Sequence, residues 1–243
     1  MYLLKRVFID GDKAPPSGAI LRGRSADAAV TAGANSVIKT GKDLKLSDKQ
    51  EIAAASFDKE APDTDFQGDD PGNLKDRTVT LVGMHHAHVA PYLKPVSTQE
   101  AIRVEGESFD FAGTIDLVEE IDGQPVLSDL KTANRRGKHS VPGAVQPSMY
   151  SYLYEKKYGR RPAKFRYDVL VDTKSPQVES IEGEVTNTDR ALLMYRAQSI
   201  VQEINTSMKT GIWRLAEQSS WRCEASGKWC YFLNNGCPKG RKL

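Results

Sequence analysis

The chain has 243 residues, of which 39% are apolar, enough to build a hydrophobic core and too many for a wholly disordered chain. Lys and Arg number 34 against 32 Asp and Glu, a net charge of +2, so no global field holds a polyanion or an anionic membrane, and any nucleic-acid contact has to come from local patches. No run reaches the roughly 18 uncharged apolar residues of a membrane span, and the apolar start is too short for a signal-peptide core, which predicts a soluble, intracellular chain.

The opening MYLLKRVF has the character of a helix end whose beginning lies upstream, and Gly11, Pro15, Pro16 and Gly18 then make a loop. Residues 21–40 space apolar and small side chains for a helix, and 46–57 give a second, with Ser47 as its N-cap. Over 58–70 six acidic residues stand against one Lys, with Pro62 and Gly68 interrupting, a composition that predicts a solvated loop. Residues 74–89 are again helical, up to Pro91. Three strands follow at 101–107, 109–119 and 125–132, divided by 106–108 and by the turn Asp122-Gly123, and they form a meander. A helix over 142–158, a strand pair at 165–173 and 177–185, and a long amphipathic helix over 188–208 complete the pattern. No internal repeat is visible. The order predicts one α/β domain over 1–243, with a mainly helical part at 1–92, a core at 101–210 and a tail at 211–243.

The most informative run is Gly113-Thr114-Ile115-Asp116-Leu117-Val118, followed by Val126-Leu127-Ser128-Asp129-Leu130-Lys131-Thr132. Residues i and i+2 of a strand share a face, so Asp129 and Lys131 lie on one side of the sheet, and Asp116 on the adjacent strand can converge with them. A hard divalent cation such as Mg²⁺ takes oxygen ligands and keeps several waters, which suits Asp116, Asp129 and the Leu130 carbonyl. With Lys131 beside such a site, the expected chemistry is phosphodiester hydrolysis. The plain alternative is a surface hairpin with two Asp and a Lys, since short matches arise by chance.

Gln146 and Tyr150 are i and i+4 on the next helix and project from one face, although Tyr150, with Tyr154, also reads as core-facing. Glu105 is a further carboxylate, facing either the metal or solvent. His85, His86 and His88 lack matching acids on their helix and read as a partly exposed face. Residues 131–138 hold four basic and no acidic side chains, which makes Arg135, Arg136 and Lys138 candidates for phosphate contacts. A second basic run, 156–166 with six basic residues, ranks behind it, and a solvated face is the alternative for both. Cys223, Cys230 and Cys237 are the chain's three Cys, an odd count that argues against a disulfide framework and for a metal or cluster site. Zinc competes, yet the tail has neither a CxxC pair nor a His. Reduced thiols packed by Trp213, Trp221 and Trp229 are the structural alternative.

Asp116, then Asp129-Leu130-Lys131, then Gln146-Pro147-Ser148-Met149-Tyr150 resemble the PD-(D/E)XK nuclease superfamily in its RecB-like branch, which carries D, D-x-K and Q-x-x-x-Y in this order. Thr210-Gly211-Ile212-Trp213, Trp221-Arg222-Cys223, Trp229-Cys230-Tyr231-Phe232 and Cys237-Pro238 resemble the end of exonucleases of that branch, many of them encoded by phages. The resemblance implies a restriction-endonuclease-like α/β core, a central mixed β-sheet flanked by helices, with a Cys-containing C-terminal extension. It also implies a DNA exonuclease dependent on Mg²⁺ or Mn²⁺, of phage or recombination and repair type, acting in the cytoplasm with a recombination or single-strand-annealing partner protein.

Carried over residue by residue, the resemblance makes Asp116 and Asp129 the metal-binding acids and Lys131 the catalytic Lys. Gln146 and Tyr150 become the pair that helps place DNA and that Lys. The family's Gly-x-x-x-His has its counterpart in Gly23-Arg24-Ser25-Ala26-Asp27, where Asp27 keeps an oxygen ligand but shortens the reach and adds negative charge; it faces the metal or is an ordinary helix Asp. In several RecB-like nucleases one Cys before the core and three after it hold an iron-sulfur cluster. Cys223, Cys230 and Cys237 stand for the three, and a fourth ligand has to come from elsewhere. Two rivals remain: a nucleic-acid-binding module of the same fold with impaired catalysis, and an iron-sulfur protein whose cluster does the chemistry.

Overall fold

A computed structural model of the chain describes residues 15–137 and 139–212. The helix end expected at 1–8, Lys138, and the tail from Trp213 with Cys223, Cys230 and Cys237 lie outside the described residues. Pro16–Val201 form one compact unit that carries the whole sheet, and Pro15 and the residues from Gln202 belong to a second.

Three helices come first. Helix α1, Gly18–Thr40, starts where the Ser17 hydroxyl accepts the Ile20 N–H and stops at Gly41, whose φ of 74° suits a residue without Cβ. Helix α2, Leu46–Glu60, has Lys45 at its N-cap with no side-chain cap. Ser47 is not the cap expected of it: it lies inside the first turn and donates to Asp48 Oδ1 at 3.1 Å. Helix α3, Pro71–His88, begins with Pro71 behind Asp70, whose Oδ1 accepts the Asn73 N–H at 2.6 Å.

The acidic stretch 58–70 is likewise more ordered than a solvated loop. Asp58 and Glu60 end α2 and pair with Lys75 and Arg24 at 2.5 and 2.8 Å, a 3₁₀ turn covers Ala61–Asp63, and Asp65 bridges back to Ser17. Its charges serve as caps and partners for neighbouring helices. Small residues let the helices close on one another: Ala26, Ala29, Ala53, Leu81 and Val82 form one buried cluster. The missing Cβ of Gly33 is filled by Lys49, since a Cβ there would stand 2.3 Å from the lysine Cε. Buried Lys49 ends on Asp43 at 2.5 Å.

The sheet contains β1 (Pro95–Val104), β2 (Phe111–Ile121), β3 (Gln124–Ala133), β4 (Lys164–Val171) and β5 (Gln177–Gly183), in that spatial order. The β2–β3 turn is the expected Asp122-Gly123, at φ 50° and 73°, the positive pair that a tight hairpin needs. All pairings are antiparallel except β3 with β4, and α4, Val145–Tyr158, makes the crossover that a parallel pair requires.

One face of the sheet packs on α4 through Val118, Leu127, Tyr150, Leu153, Phe165 and Val169, and the other meets the first three helices through Leu130 and Leu170. Strand β4, covered on both faces, is buried from Phe165 to Val171. The result is the expected α/β architecture with a mixed, helix-flanked sheet. Helix α5 spans Asn187–Thr210. No helix among the described residues is long and apolar enough to cross a membrane.

Strand β1 starts at Pro95, earlier than the expected 101, and ends at Val104. Of the extra residues, Ser97-Thr98-Gln99-Glu100 carry none of the apolar alternation by which a strand is recognised, so pairing with β2 defines this stretch.

Candidate active site

Adjacent strands and the crossover helix place the motif residues. Asp129 lies mid-way along β3, only 2% exposed, on the face that α4 covers. Its Oδ2 is ion-paired with the Lys131 ammonium, two residues along the same strand. Its Oδ1 accepts from Gln146 Nε2 at 2.5 Å, and that same nitrogen lies 3.1 Å from the Tyr150 hydroxyl. Gln146 sits in the first turn of α4, so the i, i+4 spacing delivers both side chains to the strand. Tyr150 has its ring in the core and its hydroxyl against Gln146. Gly113 on β2 gives α4 room, because a Cβ there would lie 3.1 to 3.3 Å from Leu153, Tyr150 and Met149.

Asp116 comes from β2 to within hydrogen-bonding reach of Asp129. Burial, then the charges of Asp129 and Asp27, push its carboxyl up to about 7, against the pull of Lys131. Asp27, on α1, is also raised, by burial first and then by Asp129, while the Thr31 hydroxyl and Lys131 oppose. Three carboxyls therefore share one electrostatic site with a single lysine. Asp27, Asp116, Asp129 and Leu130 line one cavity with about 20 Å³ open to water, room for roughly a single molecule.

The other candidates are elsewhere. Glu105 is exposed in the loop after β1. Its neighbour Val104 pairs with Phe111, five residues before Asp116 and so about 16 Å from it at the rise of a strand. The structure does not bring Glu105 to the site. Arg135 and Arg136 are exposed in the turn after β3, with Arg136 Nε 3.8 Å from Glu179 Oε1. The basic run 156–166 is taken up by partners: Lys157, Arg160 and Lys164 pair with Glu100, Glu120 and Glu182 at 2.7, 2.7 and 3.0 Å. In the same run Arg161 donates to Asn187 at 2.7 Å and Arg166 is buried.

Three residues that the sequence did not assign to the site belong here. His85 is not on a partly exposed face: it is 2% exposed, lines the cavity with Asp168 of β4, and burial lowers its pKa to about 4, so it is neutral. Gln99 of β1 donates to Asp27 Oδ2 at 3.2 Å. An i, i+3, i+4 apolar pattern on α3 was the one signal for His85, while nothing in the sequence marked Asp168 or Gln99.

Among the described residues no three His, Cys, Asp or Glu side chains form a ready ligand cage. Two neighbouring carboxylates with a backbone carbonyl suit a hard cation that retains most of its waters, and they do not suit zinc. Besides burial, the charges of Asp129 and Asp27 raise the Asp116 carboxyl, and such a cation would offset that repulsion.

This electrostatics has a measurable sign. A carboxyl whose folded pKa is about 7 against an ordinary 3.8 contributes stability that is fully present below about 4 and lost as pH rises through 7. Neutral His85 works the other way, its contribution falling as pH drops from 6.5 towards 4. Comparison with Asp116→Asn cancels the histidine. The stability that the metal-free variant gains over the parent should therefore grow from pH 4 to pH 8, as read by urea unfolding. A pH-independent difference would show that Asp116 titrates normally.

A model of the PD-(D/E)XK nuclease superfamily matches residues 13–237. Among solved structures, an inferred exonuclease from Eubacterium rectale superposes with a TM-score of 0.58 at 12% identity, over 89% of this chain and 76% of its own. A second, the protein SSO0001, covers 92% of this chain and 96% of its own at 10% identity, but its TM-score of 0.40 is too low to bear on the fold. No curated protein matches the sequence.

Proposed function

Because the chain belongs to the PD-(D/E)XK nuclease superfamily, we propose that it is a metal-dependent deoxyribonuclease of the RecB-like kind, hydrolysing phosphodiester bonds from DNA ends. The observation that carries this reading is the convergence of Asp116, Asp129, Lys131 and Gln146, drawn from two strands and a helix, on one partly buried spot. Asp116, Asp129 and the Leu130 carbonyl, with Asp27 across the same cavity, would hold Mg²⁺ or Mn²⁺, which when bound polarises the phosphate and lowers the pKa of water.

The protein's own groups do the rest. Gln146 fixes the rotation of the Asp129 carboxylate, and Lys131 presents a positive charge where negative charge grows on the phosphate in the transition state. Tyr150 holds Gln146 in place. Arg135 and Arg136, exposed beyond the end of β3, are suited to phosphates flanking the cut bond. The likeness to an inferred exonuclease favours action from ends. The tail motifs, with Cys223, Cys230 and Cys237, favour a phage or recombination setting, a single-strand-annealing partner and an iron-sulfur cluster completed by a fourth ligand.

Linear duplex DNA should be degraded with Mg²⁺ or Mn²⁺ and left intact with chelator, while covalently closed circles survive in both. Binding without cleavage would favour the impaired-module reading, and cutting of circles would make the enzyme an endonuclease.

A further inference from the structure

We propose that Gln99 is a positioning residue that holds Asp27 in orientation for the divalent cation, an inference that rests on the nuclease reading of this site. Gln99 stands in the middle of β1 with φ 49°. Among the described residues the other two non-glycine residues with positive φ, Gln67 and Asp122, lie in turns, where such a backbone is ordinary. Within a strand a side chain in the left-handed region is unfavourable and persists only when its surroundings hold it there.

The place of this departure is specific. Thr98 pairs with Leu117 and Glu100 with Ile115, so the distorted residue faces Asp116. Its side chain reaches away from the sheet to α1, where Nε2 lies 3.2 Å from Asp27 Oδ2 and 3.4 Å from Thr31 Oγ1. The amide donates through Nε2, and a carboxylate is the acceptor that such a donor suits. Asp27 and Thr31 are one helical turn apart, so one amide engages both from the strand side.

An Asp has a short arm, and a carboxylate on a helix rotates freely unless its oxygens are engaged. Gln99 supplies the engagement from a rigid strand and adds no charge of its own. Partners that orient a ligand in this way commonly change metal affinity by ten- to a hundredfold when removed.

Gln99→Gly separates the two roles the residue could have. Glycine adopts φ 49° without strain, so the backbone is kept and only the amide is lost. Mn²⁺ binding, measured by calorimetry on the full chain without DNA, should weaken about tenfold, while the melting temperature of the metal-free protein does not fall. In an Asp27→Ala background the same substitution should change Mn²⁺ affinity less than about twofold, because the contact is already gone.

Unchanged Mn²⁺ affinity in Gln99→Gly, an equal loss in the Asp27→Ala background, or a change confined to the KM for DNA would each overturn the proposal. A parent protein that neither binds Mn²⁺ nor cuts DNA would overturn the nuclease reading and the proposal with it. Parent activity with an unaffected Gln99→Gly overturns the proposal alone.

Discussion

Lys131→Ala should retain divalent-metal binding and lose DNA cleavage by on the order of 100-fold or more, the usual scale for removing a charge that acts mainly in the transition state. The ammonium is ion-paired with Asp129, whose other oxygen is held by Gln146. Removing Lys131 takes a competing cation from that carboxylate, so Mn²⁺ affinity should stay the same or rise. Asp116→Ala should behave differently, losing metal affinity and cleavage together. Single-turnover rates at saturating metal, beside calorimetric metal binding, separate the two variants. Folding has to be checked with metal present, because the metal-free Lys131 variant leaves a buried Asp129 without its cation. Near-full activity in the Lys131 variant would remove it from the chemistry.

The site was legible in the sequence to the extent that chemistry is carried by spacing. Asp129 and Lys131 share a face because strands repeat every two residues, and Gln146 and Tyr150 share one because four residues are close to one helical turn. Asp27 could be located only through its place relative to Gly23, and the structure brings it to the cavity. What stayed hidden depends on tertiary pairing. Gln99 lies in a polar stretch without alternation, and becomes part of a strand only because β2 pairs with its neighbours Thr98 and Glu100. His85 looked like one of three histidines on a wet helix face, whereas the helix packs so that His85 alone is buried. The run 156–166 looked like a phosphate-binding patch, yet acids outside it, at 100, 119, 120, 168 and 182 and all but Asp168 on other strands, neutralise most of it. Charge counts along a chain do not reveal charges paired across a sheet.

Arg166→Ala should be the most destabilising single change outside the catalytic residues. The guanidinium is 8% exposed and lies between two acids more deeply buried than itself, Glu119 at 0% and Asp168 at 3%. Its Nε reaches the two Asp168 oxygens at 3.1 and 3.0 Å, and its terminal nitrogen reaches Glu119 Oε2 at 2.5 Å. The Lys94 N–H and the Ser180 hydroxyl add donors at 3.0 and 2.7 Å, but neither carries charge. Without Arg166 two carboxylates would be left buried and uncompensated, a loss of about 3–5 kcal/mol when one partner of a buried pair is removed, which is a large part of a typical domain's stability. Equilibrium urea unfolding at pH 8 should show it.

The sign with pH follows from the same argument. Acid neutralises carboxylates that have lost their cation, so the deficit should shrink as pH falls. Asp168 also lines the cavity behind Asp129 and pairs in register with Leu130. A protonated or displaced Asp168 would therefore disturb the strand that carries both Asp129 and Lys131, and metal affinity should fall along with stability. A loss below about 1 kcal/mol, within the range of an exposed ion pair, would mean that water reaches the network and that Arg166 is not the group compensating these two buried acids.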